Sequence, residues 1–421
     1  MSLSRRDILR TASSGAALAA VAPGLKVALA QQAPTKDTLI VIYLRGAQDG
    51  LQWVAPAGDA NYISNRPTIR VRTDGNTPGI GLGTLQNVDF YFHPTAADLK
   101  PLYDQKKLAI VHAAGLRTEE RSHFEVQELM ELGANRNEPT PSDGWLARHL
   151  KAMQGTRPVL GAVSIATNNP DSLLGYGNAV AIASTSSFAV SGGNNNANII
   201  RALNGGQSGY EATSIQTLDA INTIQTGLSN LPVDSTNYGY PGGALTNSLR
   251  SLASLFRLNI GVEVAHIDMG GWDHHNNLIG EFNARGTDLA RSLAAFWREI
   301  ANYQDRVTVV TMTEFGRRFR ENASQGTDHG PGGVMMVLGG GVNGGRIYGT
   351  WPGLASNQLF NGDLDVSTDY RRVMGEILAK RQGNKALNKV FPTIRYEPMG
   401  IVNGDDTGVV GGNPNANPSA A

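Results

Sequence analysis

Five short, continuous apolar runs punctuate the chain: Thr38 to Leu44, Leu108 to Ala113, Ile260 to Ile267, Val307 to Met312 and Val334 to Leu338. They are rich in Val and Ile and show no apolar–polar alternation. That pattern predicts strands covered on both faces, as in a parallel sheet. Between the third and fourth runs, Phe282, Leu289, Leu293, Phe296 and Ile300 recur at three- and four-residue spacings and predict a helix with one buried stripe. Strands alternating with helices of this kind give an α/β sandwich, in which function belongs at the carboxyl ends of the strands. Residues 185–245 break the pattern with loop compositions such as Ser191 to Asn198 and Tyr238 to Gly243. They read as an insertion, helical near 211–230, placed to cap a site. From about 402 the Gly, Asn and Pro content without apolar period predicts a disordered tail, leaving a domain over 36–400.

The first 30 residues stand outside that domain. Arg5-Arg6, a modestly apolar Ala-rich run and Ala28-Leu29-Ala30 read as a twin-arginine export signal, with cleavage after Ala30. The apolar run is too short to span ~30 Å of hydrocarbon, so the twin-arginine translocase is the expected partner and a periplasmic or secreted location follows. The chain contains no cysteine, which excludes disulfides, thiolate metal sites and cysteine nucleophiles. Any metal site must therefore draw on His, Asp and Glu, a donor set suited to zinc, manganese, magnesium or calcium. A formal net charge of zero argues against nucleic acid as the main partner.

The predicted strand ends collect acids and imidazoles. Asp49-Gly50 follows the first strand, Arg121-Ser122-His123 the second, Asp273-His274-His275 the third, and Glu314 to Arg318 with Asp328-His329 the fourth. Carboxylates and imidazoles converging on one rim repel or stay unpaired unless a cation sits among them. Asp49, Asp273, His275, Glu314 and His329 are the candidate ligands. Each has a plainer reading. Asp49-Gly50 suits a tight turn, Ser122 with Glu125 fits a capping box, and Glu314 can pair with Arg317 or Arg318 along a helix. Asp273 and His275 are two apart, so in an extended segment both point to one side. His274 would then point to solvent or behind the site. His112 reads as core, His149 as helix surface, and His93 and His266 stay open.

Taken together, Leu44 to Gly50, Phe92-His93-Pro94, Arg121 to Phe124, Asp143 to Leu146, Gly270 to His275, Thr313 to Arg317 and Thr327 to Gly330 resemble the DUF1501 family. That family is grouped by fold with the alkaline phosphatase-like superfamily. The resemblance implies a three-layer α/β/α sandwich with a mostly parallel sheet and a metal centre at the strand ends. It puts Asp49, Asp273, His275, Glu314 and His329 on the metal and Ser122 where the superfamily keeps its nucleophile. Only one residue separates Asp273 from His275, where the superfamily commonly has three, and Glu314 has no neighbouring histidine. No Cys/Ser-x-Pro-x-Arg motif follows Ser122, which removes formylglycine chemistry.

The resulting expectation is an exported, metal-dependent hydrolase of phosphate or related esters. The nucleophile is Ser122 or a water bound to the ion, and Arg121 and Arg317 clamp the non-bridging oxygens. A second reading is a secreted, non-catalytic carbohydrate- or surface-binding protein stabilised by the same ion. A third, redox chemistry on a bound transition metal, would show as colour.

Overall fold

The structure, a computed structural model, describes residues 37–413 apart from 154, 156, 159, 186–187, 205–208 and 233. The export signal expected at 1–30 lies outside them. Nine strands form the main sheet: β1 (Thr38–Leu44), β2 (Leu108–Gly115), β3 (Ala162–Ser164), β4 (Val180–Ala181), β5 (Val264–Met269), β6 (Val307–Met312), β7 (Gly333–Gly339), β8 (Ile347–Tyr348) and β9 (Thr368–Asp369). Their order is β8-β2-β7-β6-β1-β5-β3-β4, with β9 also paired to β2. β1 runs parallel to β5 and β6, as β3 does to β4 and β5. β7 is the exception, antiparallel to both β2 and β6.

The absence of alternation in β1 has a direct cause, since all seven of its residues are buried. Leu39, Val41 and Tyr43 enter one core; Ile40, Ile42 and Leu44 enter the other. The first core is covered by α1 (His123–Leu132), α2 (Trp145–Ala152) and α7 (Tyr370–Lys380). The second is covered by α5 (Ala244–Arg257) and α6 (Leu278–Glu299). The predicted stripe of Phe282, Leu289, Leu293, Phe296 and Ile300 is the buried face of α6 and its cap residue. The molecule is thus a three-layer α/β/α sandwich with a mainly parallel sheet. Among the described residues, no helix is long and apolar enough to cross a membrane.

Of two regions of irregular composition, 185–245 carries the helix expected near 211–230, and 402–413 differs from its sequence reading. The described part of 185–245 contains α3 (Gly193–Leu203) and α4 (Gly209–Asn230), and Phe188, Ala220 and Ile224 join the core on the α5/α6 side. Residues 402–413, read as disordered, are tied down by main-chain hydrogen bonds. Val402 is buried and its N–H donates to Glu376 (3.1 Å), while Val410 N–H donates to the Lys385 carbonyl (2.8 Å). The buried Glu376 carboxylate also accepts from Met399 and Gly400. A strap held through its main chain needs no apolar period. Residues 414–421 lie outside the described set.

Candidate metal centre

Because β1 is in parallel register with β5 and β6, Leu44 lies beside Met269 and Tyr43 beside Met312, and the loops that follow these strands meet. The meeting is close at Gly46, which has φ +114°; a Cβ there would stand 2.7 Å from the Asp273 backbone nitrogen. Arg317, fully buried, ties the loops together. Its guanidinium donates to the carbonyls of Gly46 (2.6 Å), Ala47 (2.8 Å), Trp272 (3.0 Å) and Thr327 (2.8 Å), and to Asp273 Oδ1 (2.6 Å). Expected to clamp substrate, Arg317 instead has its donors taken up by the scaffold. It acts on the site by fixing Asp273.

Three imidazoles surround that same Asp273 Oδ1. His275 Nε2 is 3.0 Å away, His329 Nε2 3.1 Å and His123 Nε2 3.3 Å. His275 and His329 also face each other, Nε2 to Nε2, at 2.9 Å. His123, Asp273 and His329 each offer a ligand atom, all within 4.8 Å of one another.

On its far side each ring meets an oxygen acceptor. His123 Nδ1 lies 2.7 Å from Glu314 Oε1, His275 Nδ1 3.0 Å from Asp328 Oδ1 and His329 Nδ1 2.8 Å from the Arg121 carbonyl. Carboxylates and carbonyls only accept, so each Nδ1 donates; Asp273 Oδ1 is an acceptor too, so the Nε2 side is satisfied either by protonated rings or by a cation that takes the Nε2 lone pairs. With neutral rings, three Nε2 lone pairs and a carboxylate oxygen converge, an arrangement that a bound cation satisfies. His123 Nε2 makes the case most directly. It is buried, and its 3.3 Å approach to Asp273 falls outside hydrogen-bond geometry, so it has no hydrogen-bond partner. The donor set fits a divalent ion held by nitrogen and oxygen, with a carboxylate behind one imidazole.

Electrostatics keep both carboxyls of the cluster ionised. Burial raises the Asp273 pKa, but Arg317 and the His329 contact outweigh it and hold the carboxyl below the usual carboxylate range. Burial would also raise Glu314, yet hydrogen bonds from His123, Gln127 and the Gly46 N–H bring it down. The Glu314 hydrogen bond in turn raises His123, whereas burial lowers His329. Phe315 packs against both rings, with centroids 5.1 Å from His123 and 4.8 Å from His329.

The remaining candidates divide. Glu314, read as a ligand, stands behind His123, fully buried and bonded by its Nδ1 as well as by Gln127 (2.9 Å) and Thr313 (3.0 Å). Asp49 is outside the cluster. Its carboxylate caps the turn Gly50–Trp53 through Gln52 N–H (3.0 Å) and pairs with the buried Arg66 (2.8 Å). That guanidinium supplies the cation Asp49 was expected to find in a metal. Ser122 precedes α1, but its hydroxyl makes no capping bond; Glu120 accepts from the Ser122 and Arg121 N–H groups instead. Arg121 Nη1 donates to the carbonyls of Thr118 and Glu120, and burial lowers its pKa. Its firm link to the site is the carbonyl that holds His329.

His274 takes the second of its two sequence readings, and His149 differs from its one. His274 does point away from the cluster, but into the core beside Trp272 and Phe282 and not to solvent. His149 is buried against Asn384 instead of lying on a helix surface. His123 was missed because Ser122-x-x-Glu125 reads so readily as a cap. The available signal was Gln127, one helical turn after His123, which puts both side chains on one face of α1.

No curated protein matches the chain. Among solved structures it is similar to the lipoteichoic acid synthase LtaP from Listeria monocytogenes, at 9% identity over 80% of this chain and 75% of that one, with a TM-score of 0.35. It is similar to the alkaline phosphatase from the Antarctic bacterium TAB5 at 13% identity over 75% and 95%, with a TM-score of 0.26. The PsFucS1 sulfatase from Pseudoalteromonas sp. gives 9% over 75% and 65%, with a TM-score of 0.31. Likenesses this remote transfer neither substrate nor metal. The model of the family DUF1501, described as a protein of unknown function, matches residues 237–375, a stretch that holds Asp273, His275, Glu314, Arg317 and His329 but not His123.

Proposed function

We propose that this chain is a metal-dependent hydrolase of phosphate or related esters, exported by the twin-arginine route. His123, Asp273 and His329 hold its divalent ion and His275 stands at their side. One observation carries the reading: three imidazoles whose Nδ1 atoms are each tied to an oxygen acceptor turn their Nε2 atoms toward one carboxylate oxygen. Imidazole nitrogen with carboxylate oxygen favours zinc or manganese over calcium or magnesium.

The ion, when bound, supplies a Lewis acid that offsets the charge of the ester group and eases deprotonation of a hydroxyl. The protein's own residues do the rest. Glu314 and the Arg121 carbonyl fix the imidazole tautomers, and Arg317 fixes Asp273. Ser122, next to His123 and with its hydroxyl unused by the helix, is the nucleophile in this reading. A structural ion would favour a closed shell, whereas the Asp273 and His275 side chains are 48% and 42% exposed, so a substrate can reach them.

Elemental analysis of the purified protein, followed by turnover of aryl phosphates, phosphodiesters and sulfates, tests the proposal. Asp273→Asn is expected to remove both the ion and the activity, and Ser122→Ala to remove activity while the ion stays. A metal-loaded protein that hydrolyses none of these esters would overturn the hydrolase reading.

A further inference from the structure

A cavity of about 360 Å³ opens beside the metal cluster, between the first turns of α1, the segment Ala166 to Asp171 and the end of β5. That volume lies within the range that takes a drug-sized ligand. The cavity adjoins the site through its lining. Phe124 follows His123 directly, and Gln127 bonds both Glu314 (2.9 Å) and Arg45 (3.1 Å).

We infer that this cavity is a glycan subsite: it seats a neutral, hydroxyl-rich sugar unit of the ester whose reacting group lies at the metal cluster. For its place in catalysis the inference rests on the hydrolase reading above. Three features carry it. The first is Phe124, which lines the cavity while 86% exposed, the most open of the large apolar side chains among the described residues. A lone exposed aromatic is ordinary on a surface. At the mouth of a cavity next to a catalytic centre, it offers a flat apolar face to the C–H side of a sugar ring.

The second feature is charge. Glu128, Glu131, Asp171 and Asp268 face the cavity against a single guanidinium, Arg45, which already bonds Glu131 (2.5 Å) and Asp268 (2.8 Å). A second anionic group entering here is repelled, which excludes polyanionic substrates. The third feature is a polar wall. The exposed Thr167 and Asn168 line the cavity beside Asn169. Amide and hydroxyl groups of this kind both donate to and accept from sugar hydroxyls.

The test reads binding apart from catalysis. Saturation-transfer NMR on the metal-stripped protein uses methyl glycosides of glucose, galactose, mannose and N-acetylglucosamine, with choline as a cationic comparison. At least one glycoside is expected to bind. Phe124→Ala should weaken it roughly five- to tenfold, and Asp171→Asn should weaken it while the circular dichroism spectrum stays unchanged. Absence of glycoside binding, equal binding by Phe124→Ala, or preference for choline would each overturn the inference. Sugar binding with no ester turnover in the metal-loaded protein would leave the subsite standing and remove only the hydrolase reading.

Discussion

The carboxylate of Glu314 shows how one residue can serve a candidate metal cluster from behind its ligands. Its Oε1 takes the His123 Nδ1 proton, and its burial is made tolerable by the Gly46, Gln127 and Thr313 donors around it. An outer carboxylate of this kind fixes ring orientation and raises ligand basicity, and its loss typically costs 10- to 100-fold in metal affinity. Glu314→Gln is therefore expected to weaken zinc or manganese binding by about that factor, measured by competition with a chelator of known affinity. Unchanged affinity would remove Glu314 from the site. Gly46 is constrained for a different reason. Its φ of +114° suits glycine, and a Cβ would collide with main chain at Asp273 and Trp272, which no rotamer can relieve. Gly46→Ala should cost on the order of 1–3 kcal/mol in a denaturant titration and displace Asp273, so that ion affinity falls as well. Of the six residues expected to converge, Asp273, His275 and His329 do so, Glu314 serves them from behind, and Ser122 sits one residue from the cluster at His123. Asp49 does not join them. Sequence placed Asp49 at the right strand end but could not show Arg66, which comes from a separate loop to neutralise it.

At the scale of elements, legibility followed burial. Strands enclosed on both faces announce themselves as unbroken apolar runs, so β1, β2, β5, β6 and β7 were all readable. Direction was not, because β7 is as apolar as its neighbours and its antiparallel course is set by connection geometry, which side-chain composition does not report. The strap at 399–403 escaped notice for the opposite reason, since main-chain bonds to Glu376 hold it rather than apolar side chains. Helix α6 was legible in its packing as well as its existence, and this gives a paired test along one element. Leu293 is 1% exposed in the core against the sheet, whereas Ile279 on the same helix is 43% exposed. Leu293→Ala removes buried methyl groups and leaves a cavity, so it should cost ~2–5 kcal/mol. Ile279→Ala should stay within roughly 0.5 kcal/mol. Chemical denaturation of both variants measures the contrast, and equal losses would mean that α6 does not pack through its predicted face.

For the molecule as a whole, acid is the revealing stress, because two histidines outside the cluster, His93 and His112, are buried in their neutral form. His112 sits within β2 between Phe90 and Trp351; its Nε2 donates to the Val54 carbonyl (2.8 Å) and its Nδ1 accepts from Ala113 N–H (2.8 Å). Burial pushes its pKa down to about 4, although the Val54 bond opposes the shift. His93 is likewise pushed down to about 4 by burial, against the opposing charge of Asp49. Both groups would titrate near 6.5 in the unfolded chain. Between pH 6.5 and 4 the unfolded chain therefore binds protons that the folded chain refuses, and the unfolding free energy must fall as pH falls. The contribution is whole above 6.5 and gone below about 4, on the order of 3 kcal/mol for the fully buried His112. Unfolding followed at fixed denaturant from pH 7 to pH 4 should show this slope. His112→Gln can keep a donor toward Val54 and loses the titration, so it should make the slope shallower while leaving any metal content at neutral pH as it was. A variant with the wild-type slope would mean that acid acts first on the imidazoles around Asp273, and the cluster itself would then limit the stability of the fold.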